Sequence, residues 1–166
     1  ATQWAHRAGA RVIATASNEQ DVSACREAGA EAVVNHREPE WGKAVLDLTG
    51  GQKIDRVIDV EFGANLPELL HCVRIGATIA TYSSTLVPEP SLPFRTMMFM
   101  DLTVRMVIVY AMPEAAKAQA AVDTQAALTE GGLQHRIAET LPFDQMAKAH
   151  EIIEEGSVRG CVVVTI

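Results

Sequence analysis

Polar residues and a glycine that could bind a ligand follow four short β-branched runs of the sequence. They are Ser17 and Asn18, then His36 and Arg37, then Val60–Gly63, and then Tyr82–Ser84. Their hydroxyl, amide, imidazole and guanidinium groups can hydrogen-bond a ribose or a phosphate, and Gly63 would let the backbone approach a ligand closely. Each of these residues, taken singly, could instead cap a helix, which is the usual role of small polar residues at such places. Only a shared position in the fold would make them a binding site.

Other arrangements that carry chemistry are missing from the sequence. The five histidines show no HExxH spacing and do not pair with the three cysteines at metal-ligand spacing, so no metal site is predicted. Ser83 and Ser84 lack the G-x-S-x-G turn of a hydrolase nucleophile. Asp55 and Asp59 lie on one face of a predicted strand, but nothing places a substrate between them. The sequence therefore predicts no catalytic residue.

The positions of the candidate ligand-binding residues follow from a predicted βαβ pattern, in which strands and helices alternate along the sequence. The pattern predicts an N-terminal helix ending at Gly9, strands at 11–16, 30–35, 53–60 and 77–83, and helices at 18–28, from Pro39 to Leu48, and from Asn65 to Gly76. Parallel strands joined by helices place their carboxyl ends along one edge, and ligands bind outside that edge. We therefore expect the candidate residues to share one edge of an α/β fold.

The second half of the sequence continues the alternation of helices and strands. It predicts a proline-rich loop at 86–93, a helix at 94–101, a strand at 104–110 covered on both faces, helices at 113–130 and 143–155, and a strand at 161–166. No internal repeat or low-complexity segment interrupts the pattern.

Composition limits the class of protein. The chain has 166 residues, 48% of them hydrophobic, and a net charge of −7, which predicts one folded domain without the basic surface that nucleic acid requires. No apolar run reaches the roughly 20 residues of a membrane helix. The three cysteines at wide spacing do not indicate a disulfide framework, and the N-terminus lacks a signal-peptide pattern, so we expect a cytoplasmic protein.

Dinucleotide binding is only weakly indicated by motifs. The G-x-G-x-x-G fingerprint of dinucleotide-binding folds is absent. No acidic residue ends the first predicted strand, where an acid would bind the adenosine ribose of NAD, and this favours NADP.

Five ordered blocks of the sequence resemble a known family: AGARVIATASN, EAGAEAVVNHRE, LTGGQKIDRVIDV, LTVRMVIVYAMPEAAK and AHEIIEEGSVRGCVVVTI. They are similar to the cofactor-binding half of medium-chain dehydrogenase/reductases, nearest to the NADPH:quinone oxidoreductases of the zinc-binding dehydrogenase family. The resemblance implies a Rossmann-like, doubly wound parallel sheet, with residues 1–166 as part of the nucleotide-binding domain. Ala1 then falls inside the first Rossmann helix, so the first strand, the glycine-rich loop and the N-terminal catalytic domain are expected to be missing from this sequence.

The resemblance also assigns roles to individual residues. Ser17 and Asn18 match the turn around the adenosine 2′-phosphate, His36 falls where many relatives have a Tyr, and Asp21 falls where several have a Lys. An acid there would repel a phosphate, and the adjacent Arg37 could compensate. Val60–Gly63 match a loop with paired glycines, one of them replaced by Phe62. Tyr82 and Ser83 match the nicotinamide ribose site, and Val109 lies in a run near the nicotinamide and the dimer seam.

The function implied by the resemblance is hydride transfer from NADPH, or alternatively NADH, to a quinone or an α,β-unsaturated carbonyl compound. The implied protein is a homodimer without zinc, and the segment alone is expected to be inactive. Two alternatives remain open at this point. Asp21, His36 and Phe62 depart from the family pattern and favour a non-catalytic binding or structural protein of the same fold. A zinc alcohol dehydrogenase would need metal ligands upstream of Ala1.

Overall fold

The computed structural model describes all 166 residues, which form two compact units, Ala1–Thr124 and Gln125–Ile166. The first unit contains helices α1 (Thr2–Arg7), α2 (Glu19–Glu27), α3 (Trp41–Leu48), α4 (Phe62–Cys72) and α5 (Phe94–Phe99), and strands β1 (Ile13–Thr15), β2 (Ala32–Val34), β3 (Ile54–Asp59), β4 (Val73–Thr81) and β5 (Thr103–Met106). Helix α6 (Glu114–Thr129) crosses the boundary between the units. The second unit contains β6 (Ile137–Pro142), α7 (Met146–Glu155) and β7 (Cys161–Thr165).

Every pair of neighbouring strands is parallel, which confirms the α/β class. The strands are hydrogen-bonded in three sets, β1–β2, β3–β4–β5 and β6–β7. In the three-stranded set β4 is central, and Asp59, Thr81 and Met106 lie in one row across it. Helix α4 connects β3 to its parallel neighbour β4, as a crossover connection requires.

The core of the first unit lies between two helices and the strands. Apolar residues spaced four or three apart on α3 and α4 face the same cluster, because that spacing places them on one side of a helix. The buried members of this cluster are Val34, Trp41, Val45, Phe62, Leu66, Leu69, Cys72 and Ile79. The two helices therefore form a layer that supports the strands leading to the candidate site.

Helix α4 begins at Phe62, three residues before the predicted start at Asn65. The sequence predicts the later start because a proline is usual only in the first turn of a helix. In the structure Pro67 instead lies inside α4. The earlier start is stabilised from elsewhere in the chain, since the N–H of Phe62 donates to the carbonyl of Ser83 at 3.0 Å. The helix also ends early, at Cys72, and β4 starts at Val73 instead of the predicted residue 77.

The predicted strand at 104–110 is wrong in its length and its surroundings. Strand β5 ends at Met106, and residues Val109–Ala111 form a 3-10 turn. β5 has a strand neighbour on one side only. Three of its four residues are exposed, Met106 to 73%, so the strand is not covered on both faces. An apolar run without alternation is typical of a strand that is covered on both faces. The run itself, however, does not show which other elements of the chain would cover those faces. Strand β6 was not predicted at all, because its mixed run IAETLP gives no strong β signal.

Candidate functional site

Two exposed residues, Val60 and Tyr82, lie at the carboxyl edge of β3 and β4. Val60 and Tyr82 directly follow the paired residues Asp59 and Thr81, and the N–H of Tyr82 donates to the carbonyl of Asp59 at 3.4 Å. The side chain of Val60 is 53% exposed and that of Tyr82 is 59% exposed. They form an apolar and aromatic surface at the edge where ligands bind in parallel sheets.

The buried carboxylate of Asp59 organises the turn beyond this edge. It accepts hydrogen bonds from the N–H of Glu61 and from Nδ2 of Asn65, each at 2.8 Å. Asp59 is 6% exposed, and these two partners satisfy its oxygens away from water. Its role is to fix the start of α4, and it does not pair with Asp55, whose carboxylate binds Arg74.

A short segment after β4, residues Ser83–Val87, lies across the start of α4, and we call it the strap. The N–H of Gly63 donates to Oγ of Ser84 at 2.9 Å. A Cβ atom at position 63 would lie 2.6 Å from the carbonyl oxygen of Val87, too close for any side chain. The close approach that this glycine permits is thus made by the strap.

Phe62 contributes its backbone to the edge and its side chain to the core. The ring is 2% exposed and packs in the cluster formed by α3, α4 and the strands. The N–H groups of Glu61, Phe62 and Gly63 all donate to acceptors within the chain. Because these three amides are already hydrogen-bonded, a ligand at the start of α4 would contact the neighbouring side chains of Val60 and Tyr82.

Ser17 and Asn18 follow β1, and Asn18 is the N-cap of α2. Its Oδ1 accepts from the N–H of Asp21 at 2.9 Å, and its Nδ2 donates to Oδ2 of Asp21 at 2.7 Å. Asn18 therefore caps α2, and the same side chain holds the carboxylate of Asp21 beside this turn. Ser17 is half-buried at the same place.

His36 and Arg37 follow β2 in a turn that exposes both side chains. The turn is shaped by Asn35, whose Oδ1 accepts from the N–H of Arg37 at 3.0 Å and whose Nδ2 donates to Glu38 at 3.1 Å. Because Thr15 and Val34 are paired, the turns after β1 and β2 lie at the ends of adjacent parallel strands. An imidazole and a guanidinium thus stand near the Ser17–Asn18 turn, where they could bind a phosphate.

The structure gathers the sequence-predicted residues into two groups and leaves one apart. One group lies at the ends of β3 and β4 and consists of Val60, Phe62, Gly63, Tyr82 and Ser83. The other group lies at the ends of β1 and β2 and consists of Ser17, Asn18, His36 and Arg37. Val109 lies in the 3-10 turn after β5 and is 55% exposed. Sequence reasoning included Glu61 and Ser84 only as members of ranges, because their partners are distant in the chain.

No group of three or more His, Cys, Asp or Glu side chains is arranged to hold a metal ion. None of the helices combines the length and the apolar character needed to cross a membrane.

Comparison with known proteins matches the chain to one family. The family model described as "Zinc-binding dehydrogenase" matches residues 1–127. A quinone oxidoreductase of Pongo abelii is 28% identical over 159 residues, which cover 95% of this chain and 47% of that protein. A 2-haloacrylate reductase of a Burkholderia species is 26% identical over 170 residues, which cover 97% of this chain and 50% of that protein.

A solved structure extends the likeness to the fold. The quinone oxidoreductase of Escherichia coli, complexed with NADPH, superposes with a TM-score of 0.81 at 22% identity, covering 99% of this chain and 52% of that chain. The chain spans about half the length of the curated relatives it matches. The Rossmann-like character expected from the sequence is confirmed by this likeness.

Proposed function

The chain belongs to the zinc-binding dehydrogenase family of medium-chain dehydrogenase/reductases, resembling the cofactor-binding half of its quinone oxidoreductases, and from this we propose that it binds a nicotinamide dinucleotide for a reductase. The whole protein would transfer hydride from NADPH, or alternatively NADH, to a quinone or an α,β-unsaturated carbonyl compound. Its relatives that are named quinone oxidoreductase and 2-haloacrylate reductase support this substrate class.

The observation that carries the proposal is the exposed pair Val60 and Tyr82 at the carboxyl edge of a parallel sheet. A nicotinamide ring is flat and largely apolar on its faces, so an aliphatic and an aromatic side chain suit it. Ser83 follows directly and has a hydroxyl at hydrogen-bond range of Thr85, where it could also meet a ribose. When bound, the reduced nicotinamide supplies the hydride, and the protein supplies position and polarity.

The adenosine end of the dinucleotide would lie at the turns after β1 and β2. Arg37 and His36 are exposed there and could bind a 2′-phosphate, while the carboxylate of Asp21 would oppose it. The hydroxyl of Ser17 could bind a ribose. These residues fit an adenosine, and the balance of their charges bears on the choice between NADPH and NADH.

Binding of NADPH to the intact protein tests the proposal. Calorimetry or saturation-transfer NMR should detect a complex at micromolar to low millimolar cofactor, and steady oxidation of NADPH should follow addition of phenanthrenequinone. Failure to bind either NADPH or NADH at millimolar concentration would contradict the proposed function.

A non-catalytic binding protein of the same fold is the second candidate, and the held carboxylate of Asp21 favours it. Such a protein would bind a nucleotide without oxidising NADPH in the presence of a quinone. Sustained turnover would exclude this candidate.

A further inference from the structure

Glu61 directly follows Val60, and its carboxylate reaches across to the strap, which follows Tyr82. Oε2 accepts from the N–H of Thr85 at 3.0 Å, and Oε1 accepts from the N–H of Leu86 at 2.9 Å. Hydrogen bonds to an ionised acceptor are roughly twice as strong as those between neutral groups. One side chain thus makes two charge-assisted bonds to consecutive amides of the strap.

The strap is seated on the start of α4 at several further points. The carbonyl of Ser83 accepts from the N–H of Phe62 at 3.0 Å, and Oγ of Ser84 both accepts from Gly63 and donates to the carbonyl of Val87, the latter at 2.5 Å. Glu61 adds the outer pair of bonds to this inner set. The turn after β3 and the segment after β4 are therefore joined by hydrogen bonds from Ser83 to Leu86.

We propose that Glu61 is a positioning residue for the nicotinamide end of the dinucleotide, because it holds the strap against α4 and so fixes the segment that continues directly from Tyr82 and Ser83. The inference rests on the proposed function. Both carboxylate oxygens of Glu61 are occupied by the strap, so its contribution is to hold this surface and not to touch the reacting atoms.

The loss of Glu61 should loosen the strap without unfolding the protein. Thr85 and Leu86 are exposed, so water can replace the carboxylate at their amides. The inner bonds of Ser83 and Ser84 would remain, together with the core beneath α4. The effect should therefore be confined to the strap and to the nicotinamide end of the site.

Glu61→Gln in the intact protein tests this inference, because an amide offers one acceptor oxygen and turns an N–H donor toward the second backbone N–H. NADPH binding should weaken about tenfold, the value of one charge-assisted hydrogen bond. Adenosine 2′,5′-bisphosphate, which carries only the adenosine end, should bind as before. Amide hydrogen exchange at Thr85 and Leu86 should become about tenfold faster.

The matched control is Glu89→Gln, which removes the same charge from the same connection, where the Glu89 side chain is exposed. It should change neither ligand's affinity. Ser84→Ala is a second variant that removes both hydrogen bonds of the Ser84 hydroxyl, and it should weaken NADPH binding selectively in the same way.

Equal weakening of both ligands by Glu61→Gln, or no weakening of either, would overturn the positioning role. If the unaltered protein binds neither ligand, the proposed function fails as well. Failure of the proposed function would be seen in the unaltered protein, whereas failure of the positioning role would be seen only in Glu61→Gln. The two failures can therefore be distinguished.

Discussion

Phe62 and Tyr82 are both aromatic residues at the carboxyl edge of the sheet, but their rings lie in different surroundings. Phe62 is 2% exposed, whereas Tyr82 is 59% exposed. The resemblance places Phe62 where the family's loop pattern has a glycine, and in the structure its side chain packs in the core and leaves the ligand surface free. The replacement therefore changes the packing beneath the site and is compatible with cofactor binding.

Substitution by alanine should separate these two roles. Phe62→Ala should lower the free energy of unfolding by about 3–5 kcal/mol, because it leaves a cavity in the core. Tyr82→Ala should change it by less than about 0.5 kcal/mol, since the ring is exposed, and should instead weaken NADPH binding. Urea unfolding and calorimetry measure the two effects, and a large loss of stability in Tyr82→Ala would contradict the assignment.

The thiol of Cys72 provides a pH-dependent test of the same core. Burial raises its pKa from 9.0 to about 11, so the folded state holds the proton more tightly than the unfolded state. The stability that this contributes is complete below pH 9 and is lost as the pH rises toward 11. Urea unfolding across this range should show a steeper decline for the unaltered protein than for Cys72→Ala. Equal slopes would show that Cys72 is accessible to water.

At the scale of secondary-structure elements, helix α3 is shaped by unusual backbone features at its start. Its N-cap, Glu40, has a φ of 56°, in the left-handed region that non-glycine residues occupy at a cost. The next turn approaches α4 so closely that a Cβ atom at Gly42 would lie 2.4 Å from the carbonyl oxygen of Glu68. The carboxylate of Glu68 also accepts from the N–H of Gly42 at 2.9 Å, which caps α3 from its neighbour.

Glu40→Gly should stabilise the protein by about 0.5–1 kcal/mol. Glycine adopts a positive φ without strain, and this relief exceeds the entropy that glycine adds to the unfolded chain. Lys43→Gly, three residues further along the exposed side of α3, should destabilise by about 1 kcal/mol as an ordinary helix position does. Thermal or urea unfolding of both variants checks the contrast, which disappears if Glu40 is not left-handed.

Gly42→Ala should destabilise by about 1–3 kcal/mol, because the added methyl group forces α3 and α4 apart. Lys43→Ala, at the exposed neighbouring position, should stay within about 0.5 kcal/mol of the unaltered protein. Urea unfolding measures both. Indifference to the methyl group at position 42 would mean that the helices are farther apart than described.

At the scale of the whole molecule, the uncovered edge of β5 and the segment that follows it carry exposed apolar residues. Met106 is 73% exposed, Ile108 58% and Tyr110 87%. An edge strand with such side chains has unpaired backbone groups that a second copy could satisfy across a two-fold axis. We propose on this basis that the intact protein is a homodimer paired along β5.

Met106→Lys should convert this dimer to a monomer, because it places a charge within the apolar edge. Val122→Lys is the matched control, since Val122 is also an exposed apolar residue, 60% exposed, but lies on α6. Light scattering should give half the mass for the first variant and an unchanged mass for the second. A monomeric unaltered protein would remove the proposal.

Local periodicity in the sequence determined which segments alternate as helices and strands, and therefore which residues stand at strand ends. Helical spacing in α3 and the β-branched runs of β1 and β3 carry that information within a few residues. Such patterns identify the ends of β1 to β4 as the candidate site, with boundaries off by a few residues.

Only the tertiary structure decided how α4 begins, where the ring of Phe62 lies and what Glu61 binds. The bonds responsible join residues 21 to 25 positions apart, from Gly63 to Ser84 and from Glu61 to Thr85 and Leu86. Their energy depends on β3 and β4 being adjacent, which no local pattern encodes. The start of a helix and the seat of a loop were therefore fixed by partners that folding brings together.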